Sequence, residues 1–150
     1  MNIRLATIED ARDILDWRND PLTMKMSFSD GEIKLKEHTD WLDSMLQNDD
    51  VLLFITEIDD TKAAMTRFDR NKNSLEVSIN INPKFRGNGL ASPILDQSIK
   101  TMQQYWGTQT LSAKIKNENY ASIKLFQKLG FALKSSQSDM VIYEKSKNNE

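Results

Sequence analysis

The chain contains no cysteine, which excludes disulfides, a cysteine nucleophile and thiolate metal sites. Its one imidazole is His38, and no HExxH spacing or Cys/His cluster accompanies it, so no metal is expected. Glycine (5) and proline (3) are too scarce for a repetitive or low-complexity chain. Apolar runs stay short of the ~18 residues of a membrane span. The opening residues Asn2, Arg4, Glu9 and Asp10 lack the basic-then-apolar order of a signal peptide. These absences lead to the expectation of a cytoplasmic protein with no membrane partner.

What is present suits one globular domain over 1–150, with 39% hydrophobic and 28% charged residues and a polar tail from 145 to 150 expected to fray. The net charge of −2 conceals an asymmetry: residues 1–60 hold 6 Lys/Arg against 15 Asp/Glu, and residues 61–150 hold 14 against 7. A basic second portion suits a polyanionic cofactor. An acidic first portion favours a cationic acceptor if it lines the acceptor site, although most such charges are solvated faces. No nucleic-acid partner is expected, because Lys114, Lys116, Lys124 and Lys128 form a modest patch without a reader motif.

Periodicity orders the elements. Residues 2–6 read as a strand, and Thr7-Ile8-Glu9-Asp10 has the form of a capping box opening a helix to about Asn19. Asn19-Asp20-Pro21 stops that helix, since proline cannot continue the ladder. After a loop carrying Asp30-Gly31, the residues Ile33, Leu35, His38, Trp41, Leu42, Met45 and Leu46 recur at helical spacing. Val51 to Ile58, Ala63 to Asp69 and Leu75 to Ile81, the last strictly alternating, read as three strands of an antiparallel meander joined by Asp59-Asp60-Thr61 and Asn71-Lys72-Asn73 turns. A long helix follows, with Pro93 expected to disturb its first turns. A strand at Thr110 to Ile115, a helix at Asn119 to Leu129 and a closing hairpin (Phe131 to Lys134, Met140 to Glu144) complete an α/β order with a mixed sheet.

The segment Asn82-Pro83-Lys84-Phe85-Arg86-Gly87-Asn88-Gly89-Leu90-Ala91 joins the third meander strand to the long helix. Free backbone N–H groups at a helix start attract anions. Gly87 and Gly89 allow a pyrophosphate close to the backbone, and Arg86 adds a cation. An ordinary strand-to-helix turn has the same outline. A dinucleotide fingerprint fits poorly, for want of the final Gly or Ala and of an acidic residue about 20 positions on. A Walker loop fails for lack of Gly-Lys-Ser/Thr.

At these residues the chain resembles the GNAT N-acetyltransferase superfamily, whose acetyl-CoA loop reads Arg/Gln-x-x-Gly-x-Gly/Ala and is met by Arg86, Gly89 and Ala91. Asn119-Tyr120-Ala121-Ser122-Ile123-Lys124-Leu125-Phe126-Gln127-Lys128-Leu129-Gly130-Phe131 is similar to the family's later motif. The resemblance implies a mostly antiparallel sheet of about six or seven strands flanked by about four helices. Strands 4 and 5 splay apart, and the acetyl-pantetheine arm of acetyl-CoA lies in the V between them. It also implies cofactor contacts from Ile79, Ile81, Arg86, Gly87, Asn88, Gly89, Leu90, Ala91, Asn119 and Phe126, and a homodimer through the terminal hairpin.

Acetyl transfer to an amine needs a neutral amine, a stabilised oxyanion and a proton for the departing thiolate. Glu76, near where relatives place a general base, is the candidate catalytic residue; a solvated strand carboxylate is the plainer reading. The oxyanion is expected to take a backbone N–H between Ile79 and Ile81. Relatives often protonate the thiolate with a tyrosine where this chain has Phe126, which leaves Tyr120, Tyr143 or water. The first two helices and their loop are expected to meet the acceptor through Arg18, Asn19, Met26 and His38. His38 equally fits a hydrogen-bonded core or pocket-edge histidine. Trp17-Arg18-Asn19-Asp20-Pro21, Met26, Ile33 and His38-x-x-Trp41 resemble enzymes that acetylate nucleotide-linked amino sugars, including those of pseudaminic-acid pathways. The alternatives are a protein N-terminal or small-amine acetyltransferase and a non-catalytic acyl-CoA-binding module.

Overall fold

The computed structural model describes residues 1–28 and 31–148, so Asp30 and the end of the tail lie outside the described residues. The strands are β1 (Asn2–Leu5), β2 (Val51–Ile58), β3 (Thr61–Arg70), β4 (Leu75–Ile81), β5 (Leu111–Lys116), β6 (Ala132–Ser136) and β7 (Met140–Lys145). The helices are α1 (Ala11–Arg18), α2 (Pro21–Met26), α3 (Leu35–Leu46), α4 (Ala91–Trp106) and α5 (Tyr120–Lys128), with single 3₁₀ turns at Ile8–Asp10 and Pro83–Phe85. One sheet runs in the order β1-β2-β3-β4-β5-β7-β6, antiparallel throughout except between β4 and β5.

Strand alternation sends side chains to two faces, and each face is covered. On one, Phe54, Phe68, Leu75, Val77 and Ala113 pack with Leu95, Ile99 and Met102 of α4 and with Phe126 of α5. On the other, Leu53, Ile55 and Met65 pack with Ile14 and Trp17 of α1 and Leu42 of α3. The β2–β3 turn places Asp59 and Asp60 at φ of 50° and 62°, the left-handed pair that a two-residue hairpin requires. Asp tolerates it through local hydrogen bonding.

Three expectations change. Pro21 does not simply end a helix; it begins α2, because Pro at the first helical position loses no bond and the Asp20 carboxylate caps Thr23 N at 3.2 Å. That gives five α-helices among the described residues. Pro93 causes no irregularity: α4 starts at Ala91, so Pro93 occupies its third position, where an N–H would have no intrahelical acceptor. The helix closes normally with Ile94 N to Leu90 O at 3.1 Å. Finally, Ile33 precedes α3 rather than belonging to it, its backbone N and O both bonded to the Asn19 side-chain amide at 3.1 and 2.9 Å.

Asp10 knots the N-terminal segment to the sheet. It is 1% exposed and accepts from both terminal nitrogens of Arg4 at 2.9 Å, from the Thr7 N–H at 2.8 Å and, as an ion pair, from Lys62 of β3 at 2.8 Å. Burial alone would raise its carboxyl pKa; the hydrogen bonds from Arg4, Lys62 and Thr7 outweigh burial and hold it well below the usual carboxylate range. The folded-state pKa is depressed, so this contribution is fully present above the unfolded value near ~3.9 and is lost as pH falls below it. Removing the carboxylate leaves two cations against a buried gap. Asp10→Ala is therefore expected to lower unfolding free energy by about 3 kcal/mol, measured by urea denaturation at neutral pH.

Candidate active site

β4 and β5 are paired only at Leu75↔Leu111 and Glu76↔Ser112, and beyond that pair they part. Each keeps its outer neighbour: β4 follows β3 from Arg70↔Leu75 to Ala64↔Ile81, and β5 follows β7 along its length. Antiparallel bonding alternates along a strand. Asn82 N bonds Ala63 O at 2.8 Å, so Asn80, Ser78 and Glu76 also turn their backbone polar groups to β3. Leu75 N faces the other way, to Thr110 O at 2.8 Å. By the same alternation Ile79 and Ile81 present N–H and C=O to the gap, where no strand answers them.

The gap opens into a cleft of about 1170 Å³ that runs to the loop ahead of α4. Asn82 fixes the entry to that loop, donating to Lys62 O at 2.9 Å and accepting from Lys84 N at 3.1 Å. Gly87 and Gly89 follow at φ of 78° and 68°, a region that side chains with a Cβ rarely occupy. A Cβ built on either meets nothing within 4 Å, so the space over the loop is open. Open space, positive-φ glycines and the bare first N–H groups of Ala91 and Ser92 make a cradle that a pyrophosphate fits. The extended gap beside Ile79 and Ile81 suits a narrow arm with amide groups of its own.

Glu76 lines the cleft at the point where the strands part, beside Lys114 of β5, whose ammonium lies 3.2 Å from its carboxylate. Arg67, also in the lining, is held by Asp69 at 2.9 Å and stacks on Trp41 with its guanidinium carbon 5.4 Å from the ring centroid. Arg18, Met26 and His38 form part of the wall on the α1–α3 side. His38 is 3% exposed, and its Nε2 has no hydrogen-bond partner. Burial pushes its pKa below the ordinary histidine value; a backbone contact at Ala11 opposes this, and the nearby Arg18 charge adds to it.

The cleft thus gathers Glu76, Ile79, Ile81, Arg86, Gly87, Gly89, Leu90, Ala91, Asn119, Phe126, Arg18, Met26 and His38. Asn19 is outside the lining, its amide engaged with Ile33, and so is Asn88, whose side chain turns back to Phe85 O at 3.5 Å. Asn119 caps α5 by accepting from Ser122 N at 3.3 Å. Phe126 is buried edge-on against Phe131, with centroids 5.0 Å apart. Neither tyrosine proposed in its stead lines the cleft: Tyr120 is 69% exposed, and the Tyr143 hydroxyl is bonded to Gln127 Nε2 at 3.2 Å.

Sequence reasoning missed Lys114 as a lining residue. Lys114 shares a strand face with Ser112, the register partner of Glu76, and alternation within β5 does not reveal that register. The acidic N-terminal portion does not line the acceptor side as a block. Of its carboxylates only Glu37 lies in the wall among the described residues. No group of three His, Asp or Glu placed to hold a metal occurs among the described residues, and no helix there is long and apolar enough to cross a membrane.

A sheet split between its fourth and fifth strands, with a glycine loop at the mouth of the split, defines an acetyltransferase fold. The acetyltransferase (GNAT) domain model matches residues 1–132, and the chain belongs to that family. It matches no curated protein. Among solved structures, an N-acetyltransferase from Staphylococcus aureus Mu50 has 26% identity and a TM-score of 0.81, covering 97% of this chain and 98% of that one. Spermidine N-acetyltransferase from Vibrio cholerae, in complex with CoA and spermine, has 14% identity and a TM-score of 0.90 over 99% and 96% of the two chains. A Salmonella typhimurium protein described as a candidate acetyltransferase, with its cofactor acetyl-CoA, has 19% identity and a TM-score of 0.80 over 99% and 95%.

The neutral, buried His38 carries a pH signature. Its folded-state pKa lies below the unfolded value of ~6.5, so the unfolded chain takes up the proton first as pH falls. Stability is expected to decline from pH 7 to pH 5. His38→Phe should flatten that decline, as read from urea midpoints at the two pH values.

Proposed function

We propose that this chain transfers acetyl from acetyl-CoA to a primary amine by direct attack within a ternary complex. One observation carries the reading: the gap bordered by Ile79 and Ile81 is continuous with the glycine cradle and has Glu76 at its closed end. Acetyl-CoA, when bound, supplies a thioester carbonyl carbon for the amine, with the CoA thiol as leaving group. The amides of Gly87 to Ser92 would hold its phosphates, and the free backbone edge of β4 would hold its pantetheine arm. An N–H of Ile79 or Ile81 is then available to the carbonyl oxygen as it gains charge. Glu76 accepts a proton from the incoming ammonium, directly or through one water. No tyrosine lines the cleft among the described residues, but a thiol of pKa about 8.5 leaves readily as thiolate and takes its proton from solvent.

For the acceptor we favour an amino group on a nucleotide-linked sugar. Away from the glycine loop, Arg18 and Arg67 stand against Glu37 in the lining among the described residues, and Glu76 already faces Lys114, which supports a partly anionic molecule more than a polycation. A polyamine or other small amine is the second reading, favoured by the TM-score of 0.90 to the Vibrio enzyme in complex with spermine.

Glu76→Gln separates catalysis from binding alone. Turnover, followed as free thiol release, is expected to fall by about 10²-fold or more while calorimetric affinity for CoA is unchanged. A variant that keeps wild-type turnover would remove Glu76 from the mechanism, and a wild type that binds CoA but acetylates no amine would favour the non-catalytic module. Gly89→Val forces a branched side chain into a positive-φ position over the cradle, and it should reduce CoA affinity by at least ~10-fold in the same titration.

A further inference from the structure

Arg86 is the cation of the glycine loop, yet its guanidinium is already engaged. Nη2 donates to Asp20 Oδ2 at 2.5 Å and to Thr23 Oγ1 at 2.7 Å, linking the loop to a helix 66 residues earlier in the chain. Asp20 is the cap of α2: the same Oδ2 accepts from Thr23 N at 3.2 Å. The pair is partly sheltered, with side-chain exposures of 35% for Arg86 and 19% for Asp20. The Arg86 hydrogen bond is the leading cause that holds the Asp20 carboxyl below its ordinary pKa. At its far end α2 is pinned to the other limb of the V, where Lys116 Nζ donates to Lys25 O at 3.0 Å. Thr23 and Met26 of this pinned helix line the cleft.

We propose that Asp20 is a positioning residue that sets the anion affinity of the glycine loop, by holding Arg86 on α2 and competing for it with a phosphate of the cofactor. The inference rests on the reading that the loop binds acetyl-CoA. A phosphate entering the loop must share one guanidinium with a carboxylate, so each anion weakens the other's hold on Arg86. Binding at the cofactor loop is thereby linked to the helix that lines the cleft, and the linkage is reciprocal.

Asp20→Asn isolates the charge, because Asn caps a helix as well as Asp does. Calorimetric titration with free CoA should show Asp20→Asn binding about fivefold more tightly than wild type, the factor that one partly exposed ion pair supplies. Asp20→Ser, which caps but is too short to reach Arg86, should show the same gain, and circular-dichroism melting verifies that both variants fold. In an Arg86→Gln background the gain should vanish. A purely structural role for Asp20 would weaken binding instead. Equal or weaker CoA binding by both variants, or a gain that persists without Arg86, overturns the proposal. Failure of the wild type to bind CoA at all overturns the acetyl-CoA reading and this inference with it. Wild-type binding with no change in the variants overturns only the inference.

Discussion

The site depends on the early divergence of two parallel strands. β4 and β5 share two register pairs and then separate, although each remains bonded to its other neighbour. In a continuous sheet the polar edges of Ile79 and Ile81 would be consumed by the ladder. Here they are left in a cleft, where an unpaired backbone group is costly unless a ligand or water meets it. The apolar faces of both strands stay covered by α4 and α5 through Val77, Ala113, Leu95 and Phe126, so the separation opens the edges without opening the core. Everything of chemical interest, from the glycine cradle to Glu76, borders that opening.

Ion pairs do two different jobs around it. Asp10 with Arg4 and Lys62 is buried and multiply bonded, and it joins β1, the first turn and β3 into one unit. Asp20 with Arg86 and Glu76 with Lys114 are more exposed and lie around the cleft. Such pairs contribute little to stability, but they determine which charges an incoming ligand meets. The charge asymmetry of the chain therefore acts through particular partners rather than as a field of one sign over each half.

The elements were legible where one periodicity dominated. β2 and β4 fall on their expected bounds, because the apolar run Val51 to Ile55 and the alternating run Leu75 to Ile81 lie between turn residues. α2 was not legible. Six residues give too little periodicity, and Pro21 signals a helix start as well as a helix stop, a choice settled by the Asp20 cap. The cofactor loop could be read because glycine is needed for backbone reasons at Gly87 and Gly89. The fates of Asn19 and Arg86 could not, since their partners Ile33 and Asp20 are set by tertiary packing. Lys114 was hidden for a similar reason: the register that places it beside Glu76 exists only after β4 and β5 have met.

The central claim is that the split between β4 and β5 holds acetyl-CoA, with its phosphates on the glycine loop. The most direct measurement is calorimetric titration with acetyl-CoA, repeated with free CoA and with CoA lacking the adenosine 3′-phosphate. The account predicts a dissociation constant on the order of micromolar for the first two. The third should keep most of that affinity, since the glycine loop and the free edge of β4 would meet the pyrophosphate and the pantetheine arm rather than the 3′-phosphate. No heat at millimolar ligand would contradict it and leave the cleft without its proposed occupant.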